Sequence, residues 1–415
     1  MGAKAKIIND PVHGFISIPG GLIQDVVDHA YFQRLRRIKQ LGLTDMVYPG
    51  ANHTRFHHAL GAMHLMCFAL ETLRQKGHSI SAEEETAASL AILLHDIGHG
   101  PFSHALEHSI LQGVSHEQLS LAFMERLNFL FGGKLDLTIR IFKGEYHRPF
   151  FYQLVSSQLD IDRLDYLRRD CFFTGVAEGS ISAERILRMI DLHNEELVVE
   201  EKGMYSIENF LSSRRLMYWQ VYLHKTTTSA EEMLIQLMRR ARFLIKMGAQ
   251  LPMPEALLPF FRQRFGLADF LSNPNNLNQF SLIDDYDVWS CIKSWVNHPD
   301  FVLSYLSRGL VDRRLLKVQI SSEPITPERL EAKRVFWMNE LGIDAESASF
   351  LVFEKTITNA AYVSGGNRIN IKTRSGDVVD VANATDLPNI RAMATVVKKY
   401  IVCQPKTLSL QTFAG

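Results

Sequence analysis

Apolar residues recur at helical spacing from Leu22 to about Ile245, which predicts a body made of helices. Phe32, Leu35, Ile38 and Leu41 form one such stripe with Arg34, Arg36, Arg37 and Lys39 between them, and Gly42 is expected to stop it. Residues 59–76 and 82–97 predict two long buried helices, the second ending in AILLHDIGHG. Further helices are expected at 116–131, 150–170, 182–193, 207–224 and 229–247. Ahead of this body, Pro11, Gly14, Pro19 and Gly20 punctuate short apolar pairs and suggest an irregular or hairpin lead-in. Beyond it the pattern shifts at Gly248–Pro254, and NPNNLNQ (273–279) reads as a polar loop. KVQI (317–320), FLVFEK (350–355), RINIKT (368–373), DVVDV (377–381) and YIVCQ (400–404) are short β-branched runs bounded by turns. The expected class is mainly α: a helical core over 1–247, a helical extension over 248–310 and a small α+β subdomain over 311–415.

Composition narrows the function classes. The 415 residues include 45 basic and 45 acidic side chains, so no basic excess marks the whole chain as a binder of nucleic acid or an anionic membrane. Cys67, Cys171, Cys291 and Cys403 lie too far apart for a zinc ribbon, and no apolar run of membrane-spanning length occurs. A cytoplasmic protein is expected. Histidine is the uneven component, since ten of the 16 fall within residues 53–116. That clustering points to a metal or acid–base site in the first third of the chain.

The chemistry concentrates in NHTRFHHALG (52–61), LLHDIGHGPFSHALEH (93–108), SHEQLS (115–120) and LDIDRLDYLRRD (159–170). His95 and Asp96 close an apolar helix, where a lone carboxylate is costly unless paired or bound to a metal. A mixed nitrogen and oxygen donor set suits Mn, Fe, Zn or Ni. His58 and Asp162, from separate helices, are the natural completing ligands. A new helix starting at Pro101 would put His104, Glu107 and His108 on one face. His116–Glu117 begins like a zinc-protease motif, but Ser120 breaks it, and no glycine-rich phosphate loop is present. Phosphate would therefore be met by metal and cations: Arg55 one turn before His58, Arg163 next to Asp162, and Arg214, Arg215 and Lys225 near by. Tyr166, Tyr218 and Tyr222 are candidates to stack on a base or order a sugar.

These motifs, together with NDPVHGFI, FQRLRRIKQLG, YPGANHTRFHHALG and YLHK, resemble the HD-domain metal-dependent phosphohydrolases. The nearer likeness is to the deoxynucleoside triphosphate triphosphohydrolases, over roughly residues 6–230. The resemblance implies an HD-domain helical core holding one divalent metal ion on His58, His95, Asp96 and Asp162, with Mg as a nucleotide counter-ion. It implies Arg55, His99, His104, Glu107 and His116 as catalytic residues, Glu107 standing where the vertebrate pattern has Asp. It also implies Arg163, Tyr166, Asp170, Arg214 and Tyr222 as substrate-binding residues, Arg163 replacing a Lys and Tyr218 a His. The implied reaction splits a dNTP between the α-phosphate and the 5′ oxygen, and either His116 or His104, backed by Glu107, would protonate the leaving oxygen. Asn9, Asp28, Gln33 and Arg36 match a regulatory nucleotide site between subunits, which implies a homo-oligomer, dimer or tetramer. Two rivals stay open: the same site acting on a nucleoside monophosphate or phosphodiester, and a nucleotide-sensing or single-strand-binding scaffold without turnover.

Overall fold

The computed structural model describes residues 5–102, 105–106, 111, 113–359, 368–385 and 397–406. Strands β1 (Lys6–Asp10) and β2 (Gly14–Ile18) form the lead-in hairpin, antiparallel with Asp10 opposite Gly14. Helix α1 (Leu22–Asp28) follows, but the expected stripe to Leu41 is only a short helical turn and a 3-10 turn ending at Arg37. Helix α2 (Arg55–Gln75) starts at a capping box between Thr54 and His57. Helix α3 (Ala82–Leu94) starts at a second box, Ser81 with Glu84, and it ends where the His95–Asp96 pair begins.

Helix α4 (His116–Leu130) is capped by Ser115, which places His116 at its first residue. The helix expected over 150–170 is two pieces, Pro149–Val155 and α5 (Ile161–Thr174). The break has a local cause: the Asp160 side chain accepts from the Arg163 amide and caps α5, so Asp162 and Arg163 sit in its first turn. The helix expected over 182–193 also divides, into Ala183–Met189 and β3 (Ile190–His193). A tight turn at Asn194 and Glu195, both with positive φ, returns the chain into β4 (Glu196–Glu200). Helix α6 (Met204–Met217) then runs into a π-helical turn at Tyr218–Tyr222, and α7 (Lys225–Lys246) follows.

The polar stretch NPNNLNQ is helical, not a loop. Asn273 caps it, Pro274 occupies the first turn, and Leu277 and Phe280 bury one face. In the last third, β5 (Lys317–Ser321) and β6 (Phe353–Asn359) flank β9 (Val397–Gln404) in one antiparallel sheet. Strands β7 (Asn370–Lys372) and β8 (Val378–Asp380) extend the β3–β4 ribbon, β7 running parallel to β4. The mainly α architecture with small sheets is as the pattern implied. No helix among the described residues is long and apolar enough to cross a membrane.

Candidate metal centre and its flanking pocket

Helices α2 and α5 pack together beside the end of α3, and their polar residues meet there. His58 is fully buried on α2, and its Nε2 lies 3.0 Å from Asp162 Oδ1 on α5. His95 Nε2 is 3.3 Å from the same oxygen and 3.3 Å from Asp96 Oδ1. Asp96 Oδ2 lies 3.9 Å from His58 Nε2 and forms an ion pair with Arg55. Ligands bound at about 2.1 Å around one ion stand roughly 3.0–3.4 Å apart, so the separations of Asp162 from His58 and His95 suit a first-row divalent cation. Asp96 reaches His95 at that range and stands farther from His58.

Two further observations test the fit. His95 Nδ1 lies 2.6 Å from the Ile92 carbonyl, and His58 Nδ1 lies 2.8 Å from Asp165 Oδ2. Each δ nitrogen therefore carries the proton and donates, which leaves each ε nitrogen with a lone pair. Both ε nitrogens are buried and make no hydrogen bond of good geometry, an expensive state unless a cation completes them. The electrostatics agree. Burial opposes charge on His58, but Asp162 and Asp165 outweigh it and lift its pKa to about 10, so the Nε2 position draws positive charge, either a second proton or a cation in its place. Burial raises Asp162, yet His58 and His95 hold its carboxyl well below the usual range. The pocket is thus built for positive charge.

A second group adjoins the first. Asp96 Oδ1 is 3.4 Å from His99 Nε2, and the His99 ring stacks on His116 at 3.9 Å. Burial, then the Arg55 guanidinium, keeps His99 well below the ordinary histidine pKa and hence neutral. The fully buried Arg34 donates twice, at 2.8 and 2.7 Å, to the His99 carbonyl. Asp285 accepts from the amides of Lys39 and Phe102, fixing the turn that follows, where Phe102 has φ 50°. His104 and Glu107 lie outside the described residues.

The expected substrate residues lie on α5 (Arg163, Tyr166, Asp170), on α6 (Arg214) and in the π-helical turn (Tyr222). Arg163 donates to the Ser157 carbonyl at 2.8 Å and pairs with Asp160 at 3.1 Å. Tyr166 stands 6.2 Å from Tyr222, Tyr218 stands 5.1 Å from Tyr222, and Arg214 packs over Tyr218 at 5.8 Å. Burial raises the Tyr166 and Tyr222 phenols, so both stay protonated donors. Asp170 accepts from Tyr222 Oη and meets His53 Nε2, each at 2.7 Å. Its direct partners are therefore side chains that shape the pocket.

The four expected regulatory residues lie at the N-terminal end of the fold. Asp28 pairs with Lys6 at 3.0 Å, and Arg36 donates to Gln33 at 2.8 Å while packing over Phe56. Asn9 is exposed on β1. Sequence reasoning missed Arg34, Asp165, Arg169 and His13. The signal for two of them was present: Asp162, Asp165 and Arg169 follow one another at i, i+3 and i+7 on one face of α5.

A family model described as an HD associated region matches residues 181–248. The chain is 32% identical over 351 residues to the uncharacterized protein YwfO of Bacillus subtilis, covering 82% of this chain and 78% of that one. It is 31% identical over 275 residues to the deoxynucleoside triphosphate triphosphohydrolase SAMHD1 homolog of Dictyostelium discoideum, covering 61% of this chain. It spans only 53% of the length of that relative. A solved phosphohydrolase from Bacteroides thetaiotaomicron superposes with a TM-score of 0.93 at 50% identity, covering 97% of this chain and 100% of that one.

Proposed function

This chain belongs to the HD-domain phosphohydrolases, and on that premise we propose that it is a divalent-metal-dependent deoxynucleoside triphosphate triphosphohydrolase. The observation that carries the proposal is the pair of buried ε nitrogens of His58 and His95 facing the Asp162 carboxylate. His58, His95, Asp162 and Asp96 would hold the ion, which when bound supplies Lewis acidity and lowers the pKa of water.

The chain's own residues then divide the remaining work. Arg55, fixed by Asp96, and Arg163, fixed by Asp160 and next in sequence to Asp162, would supply the guanidinium charge that meets an α-phosphate as it gathers negative charge. His99 stays neutral and holds the His116 ring by stacking, so we assign proton delivery to the 5′ oxygen to His116. Tyr166, Tyr218 and Tyr222 offer flat faces for a base or sugar, with the Tyr222 hydroxyl held by Asp170. The triphosphohydrolase reading over a monophosphatase draws support from two spaced arginines at the centre and from the relative so named. A homo-oligomer regulated by nucleotide at Asn9, Asp28, Gln33 and Arg36 belongs to the same proposal.

Mass analysis of the products formed from each of the four dNTPs with Mn²⁺ tests it. Inorganic triphosphate and the deoxynucleoside are the expected products. Release of orthophosphate alone, or turnover confined to monophosphates or phosphodiesters, would overturn the assignment in favour of another HD phosphohydrolase activity.

A further inference from the structure

The back of the metal centre is closed by the N-terminal hairpin. Asp165, fully buried on α5, receives four donors on its two oxygens. Oδ1 meets His13 Nε2 at 2.7 Å and Arg169 Nη2 at 3.0 Å. Oδ2 meets His58 Nδ1 at 2.8 Å and Arg169 Nε at 2.9 Å. A carboxylate offers about four lone-pair sites, so every site is used. His13 comes from the turn between β1 and β2, and its side chain is 1% exposed. Asp10 sets that turn by accepting from the Val12 and His13 amides at 3.0 and 2.9 Å. Its other oxygen takes Arg169 Nη1 at 2.8 Å. The hairpin thus grips the Asp165–Arg169 pair at two points, and Asp165 in turn fixes the His58 ring.

We propose that His13 is a positioning residue for the metal ligand His58, acting through Asp165, so that docking of the β1–β2 turn sets the affinity of the metal centre. This rests on the metal-centre reading above. The physical reason is that Asp165 sits where no water can replace a lost donor. Without His13, Oδ1 is held by Arg169 alone, the carboxylate is free to rotate toward that guanidinium, and the proton on His58 Nδ1 loses its aligned acceptor. The Nε2 lone pair is then no longer held in one direction or made more basic by the carboxylate behind it. Removing such a partner of a ligating histidine typically weakens metal binding by about 10–100-fold. Nothing local in sequence ties the two residues, since His13 and Asp165 are separated by 152 positions.

The test is a titration of metal-stripped full-length protein with Mn²⁺, reading free Mn²⁺ by electron paramagnetic resonance. Wild type, His13→Leu, His13→Gln and Asp162→Ala are compared, with the melting temperature of each metal-free protein recorded alongside. His13→Leu should raise the Mn²⁺ dissociation constant by about tenfold or more. His13→Gln keeps an N–H donor at the same reach and should restore binding to within about twofold of wild type. A merely structural histidine would move the melting temperature and leave the dissociation constant alone. If His13→Leu does not fold, His13→Asn, polar but too short to reach Asp165, takes its place with the same expected loss. A folded variant lacking the donor that binds Mn²⁺ like wild type, while Asp162→Ala does not bind, would overturn this inference alone. Wild type that shows no Asp162-dependent binding would overturn the metal-centre reading and this inference with it.

Discussion

Gly61 shows how tightly the residues behind the metal ligands are fitted. It stands one turn after His58 on α2, and a methyl group there would lie 2.1 Å from both Arg169 Nη2 and Asp165 Oδ1. Neither side chain can retreat, because both are fully buried and each is held by several hydrogen bonds. Gly61→Ala should therefore destabilise the fold by about 1–3 kcal/mol, the cost of overpacking a closed core. Denaturant unfolding checks this, and a variant as stable as wild type would show that the Asp165 cluster is looser than its distances state. The same reasoning separates Gly61 from Gly77, where a Cβ meets nothing within 4 Å and only a positive φ favours glycine.

Among the elements, helix starts do much of the aiming. Thr54, Ser115 and Asp160 cap α2, α4 and α5, and Arg55, His116 and Asp162 occupy the first turns that these caps create. Ser115→Ala removes the acceptor of the Gln118 amide and should cost about 1 kcal/mol of stability. Because His116 is the next residue, the start of α4 should fray and kcat should fall with little change in KM. Steady-state kinetics checks this, and an unchanged kcat would argue against His116 as proton donor. The caps also explain what was legible in the sequence. His58, His95, Asp96 and Asp162 stand in short motifs whose meaning is local, and the fold brings donor atoms of His58, His95 and Asp162 within 4.8 Å of one another, with Asp96 adjoining. His13 and Arg34 stand in two of the motifs that carried the resemblance, NDPVHGFI and FQRLRRIKQLG, but they act on partners far along the chain, at Asp165 and the His99 carbonyl, so nothing adjacent states their roles. Strand β3 was hidden for a different reason. Its apolar residues continue the period of the helix before it, and the turn that ends it uses Asn194 and Glu195 in place of the expected glycine. The helix at 274–281 was hidden because polarity outweighed the capping asparagine and first-turn proline that specify it.

At the scale of the molecule, a formal charge of zero conceals an interior rich in ionised groups. Arg34, Arg55, Arg169, Asp96 and Asp165 are all buried, and each is matched by an opposite charge, a carbonyl or, at the front of the centre, the cation the site is built to hold. Glu231 on α7 is the contrasting case. Burial, reinforced by the neighbouring Glu232 and only partly opposed by Lys355, raises its pKa from 4.5 to about 8. The folded state therefore holds this proton more tightly than the unfolded chain does. Its contribution to stability is fully present below about pH 4.5 and is lost as the pH rises through 8. The slope from this one group is at most about 1.4 kcal/mol per pH unit. Glu231→Gln keeps the shape without the titrating proton. It should flatten the fall in stability between about pH 4.5 and 8 and leave the variant more stable than wild type by about 1–3 kcal/mol above that window. Urea unfolding midpoints across that range measure both effects. Parallel pH profiles for the two proteins would mean that Glu231 is ionised at neutral pH, with solvent or Lys355 compensating its charge.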